Sequence, residues 1–317
     1  MKKYNTIHSH YTRWLLAVSG LAAAVPLVGA VEAGVLVGEG DAKAGVVYDT
    51  GTPSLRDYLA RRRAALFASL ADVSPRLLRA KVTAESRSGV RRLRIRDFQY
   101  LSDSDRDYAG YSLGAPSWDT EVAVIASSVA DEFAIQAAAK NIPFDSLEVT
   151  VTSHPDAPEV EKTRKVAYPR NIVWTAYVVS PASDAQLEDL RQAVERTSPI
   201  LALIKEPQGI PHGKVVHTKS PAKRSPELPP GLRDFLIEKR IAVLKRQGKA
   251  AELRDREEWK SKTFPLFAKT KLEDGSGIRN SRTSARGFQI LHDNLRTDAG
   301  YNVAPTSYEH QLGVLGT

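Results

Sequence analysis

Every nucleophile this chain can offer is an oxygen or a nitrogen, because its 317 residues include no cysteine. Disulfides, cysteine-bound zinc and thiol catalysis are excluded together. A serine nucleophile needs a base such as histidine within hydrogen-bond reach. His154, His212 and His217 are present, but no spacing between them and a serine supports a triad. His212 and His217 sit in a Pro- and Lys-rich stretch that supplies no third metal ligand. Gly38-Glu39-Gly40 lacks the flanking strand and helix of a phosphate loop, and no Walker loop, dinucleotide fingerprint or zinc-ligand array occurs. The residues therefore assign no catalytic, cofactor-binding or metal-binding role. Arg94, Arg96, Glu121 and Glu132 are charges without a motif to anchor them, and they read as surface groups.

Composition is that of a globular protein, with 42% hydrophobic and 26% charged residues. The formal net charge of +8 suits a partner of negative charge, such as nucleic acid or anionic lipid. Residues 1–51 form an N-terminal apolar segment and spacer. Lys2, Lys3 and Arg13 precede an almost wholly apolar run, Trp14–Val31, and Glu32 is the first carboxylate. Three readings fit: a secretory signal cleaved near Val31-Glu32-Ala33, a basic mitochondrial presequence, or a retained membrane anchor.

Residues 52–74 read as an amphipathic helix. Thr52 caps it, Pro53 stands in its first turn, and Leu55, Leu59, Leu66 and Leu70 form one face, with Arg61–Arg63 largely off it. Pro75 ends it. Leu77–Glu85 and Val90–Leu101 alternate as a hairpin, and Ser117 caps an Ala- and Val-rich helix reaching Lys140. Leu147–Thr152 and Ile172–Val179 read as strands, Asp184–Arg196 as an amphipathic helix, and Ser198-Pro199 as the start of a short one. Residues 213–263 read as a basic linker followed by a charged helical stretch, Leu232–Lys260, broken at Gly248.

Residues 264–317 repeat the start of the preceding domain, 75–212. Ser88-Gly89-Val90-Arg91 matches Ser276-Gly277-Ile278-Arg279. Phe98–Asp103 matches Phe288–Asp293, Ala109-Gly110-Tyr111 matches Ala299-Gly300-Tyr301, and Ala115-Pro116-Ser117 matches Ala304-Pro305-Thr306. Separated blocks in one order identify a partial second copy. A half-domain cannot cover its own apolar face, so it must pack on the first copy, on another chain, or on both.

Gly114-Ala115-Pro116-Ser117, the helix Val122–Lys140, the segment Asn141–Val149, and Asp184–Arg196 with Thr197-Ser198-Pro199-Ile200 resemble the OsmC/Ohr superfamily across residues 77–211. The resemblance implies an α+β fold: an antiparallel sheet wrapped around a long central helix, with the second copy giving a pseudo-dimer. In that family one thiol lies on the central helix and another precedes the Pro. The matching positions here are Ser128 (Ser127 or Val129 if the register shifts by one) and Ser198. A hydroxyl cannot follow the thiolate through sulfenic acid and disulfide. Ser198 reads instead as an N-cap, and Ser128 as a packing residue bonded to its preceding turn. The missing thiols, the basic arms, the half-repeat in need of a partner and the apolar N-terminus together give the expectation of a non-catalytic structural subunit of a mitochondrial inner-membrane complex, of the respiratory-chain or ATP-synthase type. Its partners would be other protein subunits, with anionic lipid or membrane contact through residues 14–31 and self-association through the core. Positive charge raises an alternative, an RNA-associated subunit such as one of a mitochondrial ribosome. A third reading is a hydroperoxide reductase whose cysteine lies beyond Thr317. Signal cleavage would instead make the protein secreted or periplasmic.

Overall fold

The computed structural model describes residues 53–69, 77–85, 88–153, 171–206, 214–217, 231–253, 266–283 and 287–317. The apolar run 14–31, Thr52, Leu70, Pro75, His154 and His212 lie outside these residues. Helix α1 (Leu55–Ser69) begins on a reciprocal bond: Asp57 Oδ2 accepts from the Ser54 amide at 2.7 Å, and the Asp57 amide donates to Ser54 Oγ at 3.3 Å. Ser54 caps the helix because the carboxylate three residues on reaches back to it. Leu55, Tyr58 and Leu59 are buried. So is Arg62, which the apolar stripe had placed off the packed face.

Three short strands follow: β1 (Lys81–Ala84), β2 (Arg91–Ile95) and β3 (Phe98–Ser102). The stretch read as one strand, Val90–Leu101, is broken where Arg96 takes φ 51° and turns the chain with Asp97. Helix α2 (Ser117–Lys140) is the core element. Pro116, not Ser117, holds its N-cap position, and no side-chain cap bond forms there. Helix α2 is long and apolar enough to cross a membrane, yet 89% of its apolar window is buried within the protein. Asn141 ends it in the left-handed region, a position where Asn is favoured after Gly.

Strands β4 (Ser146–Ser153) and β5 (Val173–Val179) come next. Leu147, Val149 and Val151 alternate inward on β4. Helix α3 (Asp184–Thr197) has a complete capping box from Ser183 and Gln186. Helix α4 (Pro199–Lys205) is capped by Ser198, whose Oγ accepts from the Leu201 amide at 3.4 Å. Helix α5 (Leu232–Leu253) passes through Gly248 without a break. One exposed glycine costs about 1 kcal/mol in a helix, too little to end one of this length. Strands β6 (Leu266–Leu272), β7 (Arg279–Thr283) and β8 (Gln289–His292) lead to helix α6 (Ser307–Gly316).

The protein is thus α+β, with six helices and two antiparallel sheets among the described residues. One sheet is β1-β2-β3; the other is β5-β4-β6-β7-β8. The second sheet joins both copies, since β4 pairs with β5 on one side and β6 on the other, Val151 facing Trp174 and Ala268. Its inner face lies on α2, and Val122, Ile125, Val129, Phe133, Leu147, Ala268 and Leu272 belong to one apolar core.

The two copies share several bonds at matching positions. Glu85 and Glu273 each donate a backbone N–H to the carbonyl five residues ahead, Val90 and Ile278, both at 2.8 Å. Asp103 Oδ2 accepts from the Tyr111 and Leu113 amides at 2.9 and 3.0 Å; Asp293 Oδ2 accepts from those of Tyr301 and Val303 at 3.0 and 3.0 Å. The match also reaches α1 and α5, which the sequence reading had assigned to separate regions. Pro53-Ser54-Leu55-Arg56-Asp57-Tyr58-Leu59 corresponds to Pro230-Gly231-Leu232-Arg233-Asp234-Phe235-Leu236. Each of these helices packs on the other copy. Tyr58 covers Gly277 and Phe235 covers Gly89. Arg62 donates to the Asp298 carbonyl, and Lys239 donates to the corresponding Tyr108 carbonyl at 2.6 Å.

Candidate functional site

Helix α2 carries Ser127, Ser128, Asp131 and Glu132, all buried, at spacings that set two polar pairs one turn apart. The first pair, Ser127 and Asp131, meets β7. Arg279 is fully buried and spends its whole guanidinium here. Nε donates to Ser127 Oγ at 3.0 Å, Nη1 to Asp131 Oδ1 at 3.0 Å, and Nη2 to Asn294 Oδ1 at 3.1 Å. Asn294 Nδ2 also donates to Asp131 Oδ1 at 2.9 Å and reaches the Tyr58 hydroxyl at 3.3 Å. Arg62 adds a second cation, 3.9 Å from Asp131. Burial pushes the Asp131 carboxyl up, but Arg279, Arg62 and the Asn294 amide outweigh it and hold the pKa below its ordinary value. Tyr58 is pushed up by burial, so its hydroxyl stays protonated. Removing one partner of a buried ion pair of this kind costs about 3–5 kcal/mol.

The second pair, Ser128 and Glu132, faces α3 and α6. Glu132 Oε1 accepts from Thr197 Oγ1 at 2.6 Å and from Gln136 Nε2 at 2.9 Å, while Oε2 is buried without a partner. Burial is the main cause of a carboxyl pKa raised to about 7, with the Thr197 and Gln136 bonds opposing it and Asp131 adding to it. Glu132 was read as a surface charge and is instead one of the most enclosed groups in the protein. The Tyr308 hydroxyl approaches Ser128, and burial, reinforced by Glu132 and Asp131, holds its pKa well above the ordinary value. Ser128 Oγ makes no bond back to its preceding turn.

Ser198 lies beside Thr197, so the Glu132–Thr197 bond ties the start of α4 to the turn of α2 after Ser128. Ser198 is itself buried. A group titrating near neutrality beside hydroxyls is capable of proton transfer. Here, though, both serines are fully buried, and the half-open cleft of about 210 Å³ lined by Tyr100, Leu101, Phe288, Ile290 and His310 includes neither Ser128 nor Ser198.

The remaining sequence candidates do not converge. Arg94 is exposed. Arg96 pairs with Glu309 at 2.8 Å and with Asn302, tying the β2–β3 turn to α6. Glu121 accepts from Gln311 Nε2 at 3.1 Å and is pushed up by burial. His217 is exposed on an irregular segment. Among the described residues no three His, Cys, Asp or Glu side chains gather as metal ligands.

Sequence reading missed Arg62, Asp131, Arg279 and Asn294. Arg279 was visible as the match to Arg91, but its partners lie 148 residues back and 15 ahead. It also missed a buried histidine pair. His292 Nε2 and His310 Nδ1 are 2.9 Å apart, and Tyr100 stacks on His310 with ring centroids 4.6 Å apart. Burial lowers both pKa values, that of His310 to about 4, so the pair shares one N–H between two neutral rings. Compared with known proteins, the chain matches no family model and no curated sequence.

Proposed function

We propose that this chain is a non-catalytic structural subunit of a larger protein complex, built on an OsmC-like scaffold in which one and a half copies are fused. The observation that carries the reading is the filled centre of α2. Ser128 and Ser198 stand buried at the positions the resemblance gives to thiols. The neighbouring arginine, Arg279, has every guanidinium nitrogen engaged by Ser127, Asp131 or Asn294. A centre so arranged stabilises a rigid block and engages the arginine that could otherwise activate a nucleophile. The apolar run 14–31 supports a membrane-associated setting, and the resemblance together with that run supports the mitochondrial inner membrane.

Native purification under mild detergent, followed by mass measurement of the intact particle, tests the reading. The chain should run with other proteins in fixed stoichiometry. Recovery as a free monomer from membranes or organelles overturns it. The net charge of +8 favours a second reading, an RNA-associated subunit. Salt-sensitive co-purification with ribosomal RNA would select that reading over the first.

A further inference from the structure

Corresponding strands of the two copies have different neighbours. The outer edge of β6 is covered by β4, and Glu148 of β4 reaches Lys269 at 2.7 Å. The matching strand β1 pairs with β2 on one side and with no described strand on the other. Matching Arg91 to Arg279 fixes the rest through the hairpin registers: Ala84 corresponds to Leu272, Val82 to Thr270 and Lys81 to Lys269. Thr270 and Leu272 are buried, whereas Val82 is half-buried and Ala84 exposed. Beneath the edge, Leu315 of α6 is 66% exposed.

The chemistry of the edge is legible. Leu78, Arg79, Lys81, Arg94, Arg96 and Leu312 line an open groove of about 630 Å³. No ion pair engages Arg79, Lys81 or Arg94 among the described residues, while Lys269 has its glutamate. Arg91 adds an independent sign. Arg279 meets Asp131, whereas Arg91 Nη2 donates to Ser102 Oγ at 3.1 Å and its Nε is buried without a partner. An open strand edge beside an apolar floor and unanswered cations accepts an extended chain of complementary pattern.

We propose that β1 is the docking edge for an extended segment of a partner protein. The segment runs antiparallel to β1, turns alternate apolar side chains toward α6, and sets a carboxylate against Lys81 as Glu148 stands against Lys269. The inference rests on the subunit reading above and names one contact of that subunit. A second copy of this chain is a poor donor. Its β4 is paired on both edges, and β5 and β8, each the outermost strand of the five-stranded sheet, carry no carboxylate. Lysine on an edge also discourages self-pairing, so the same residue selects an acidic partner and rejects a like one.

The test begins with the purified full chain and a fluorescent peptide of the β4 sequence, Asp145–Ser153, read by anisotropy. Saturable binding is expected, weakened about tenfold by Lys81→Glu and restored when the peptide carries Glu148→Lys. Lys81 is exposed, so the variant should keep its circular dichroism and melting curve. Absence of binding, or indifference to the charge swap, overturns the proposal. A benzoylphenylalanine at Thr83 then reads the contact in the native particle. Cross-linking to an acidic, alternating stretch of a different protein supports it. Cross-linking within the chain or to a second copy overturns it while leaving the subunit reading in place. Recovery of a free monomer defeats the subunit reading, and the peptide experiment still decides what β1 can bind.

Discussion

Replacing Glu132 by glutamine should make the protein more stable at alkaline pH and leave it nearly unchanged in acid. The folded protein holds the Glu132 proton to about pH 7, whereas an ordinary glutamate releases it near 4.5. Below pH 4.5 both folded and unfolded carboxyls are protonated, and the group has no pH-dependent effect. Between 4.5 and 7 only the unfolded chain releases the proton, so stability falls as pH rises, and above 7 the whole penalty is present. A displacement from 4.5 to about 7 corresponds to about 3 kcal/mol. The amide of glutamine keeps the length of the side chain and an acceptor for Thr197 and Gln136, and it carries no charge to desolvate. Its NH₂ occupies the unpartnered Oε2 position, where the protonated acid places a hydroxyl, so the two side chains are near equals in acid. Melting curves of both proteins at pH 5 and pH 8 measure the difference. Glu132→Gln should melt within a degree or two of the parent at pH 5 and roughly 5–10 °C above it at pH 8. Equal shifts at the two pH values would show that Glu132 is ordinary in the folded state and that its enclosure has been misjudged.

Arg279→Met should destabilise by about 3–5 kcal/mol, because Asp131 is left ionised and buried; adding Asp131→Asn should recover part of that loss in denaturant melts. Gly277→Ala should cost about 2–4 kcal/mol, since φ is +71° and the new methyl would sit 2.1 Å from the Tyr58 ring, whereas Gly248→Ala meets nothing within 4 Å and should stabilise α5 by up to about 1 kcal/mol. A cysteine introduced by Ser128→Cys should label with a thiol reagent only as the protein unfolds, its position being fully enclosed. His310 is held neutral to about pH 4, so the stability it contributes is present above pH 6.5 and lost as pH falls toward 4; His310→Gln should flatten that acid limb of the stability profile.

The secondary structure was legible wherever a local signal sufficed. Alternation marked β4 and β5, the amphipathic run Asp184–Arg196 marked α3, and Ser198-Pro199 marked α4. It misled where a local signal competed with a short-range geometry, as at Arg96, whose positive φ splits one apparent strand into two. The second copy was legible in its hairpin because turn glycines and the Phe-Gln pair recur at fixed offsets. Its helix α5 was hidden, since α5 has 22 residues against 15 in α1, and the longer run to the hairpin breaks the offset. The site was the least legible part. Arg62 looks like one of three surface arginines, and Glu132 like an exposed charge on a helix. The packing of α1 on the other copy turns Arg62 inward, and the packing of α3 and α6 on α2 encloses Glu132.

Exchange of α1 and α5 also sets the order in which the protein can be made. Helix α2 leaves the ribosome with Asp131 answered by Arg62 alone, and the Arg279 guanidinium that bonds it directly follows 148 residues later. At about 5–20 residues per second that interval is roughly 7–30 s. For that time a helix apolar enough to pass for a membrane span lacks the part of its cover that β6, β7 and α6 supply. A nascent chain of this design would need a holding chaperone until its final third emerges.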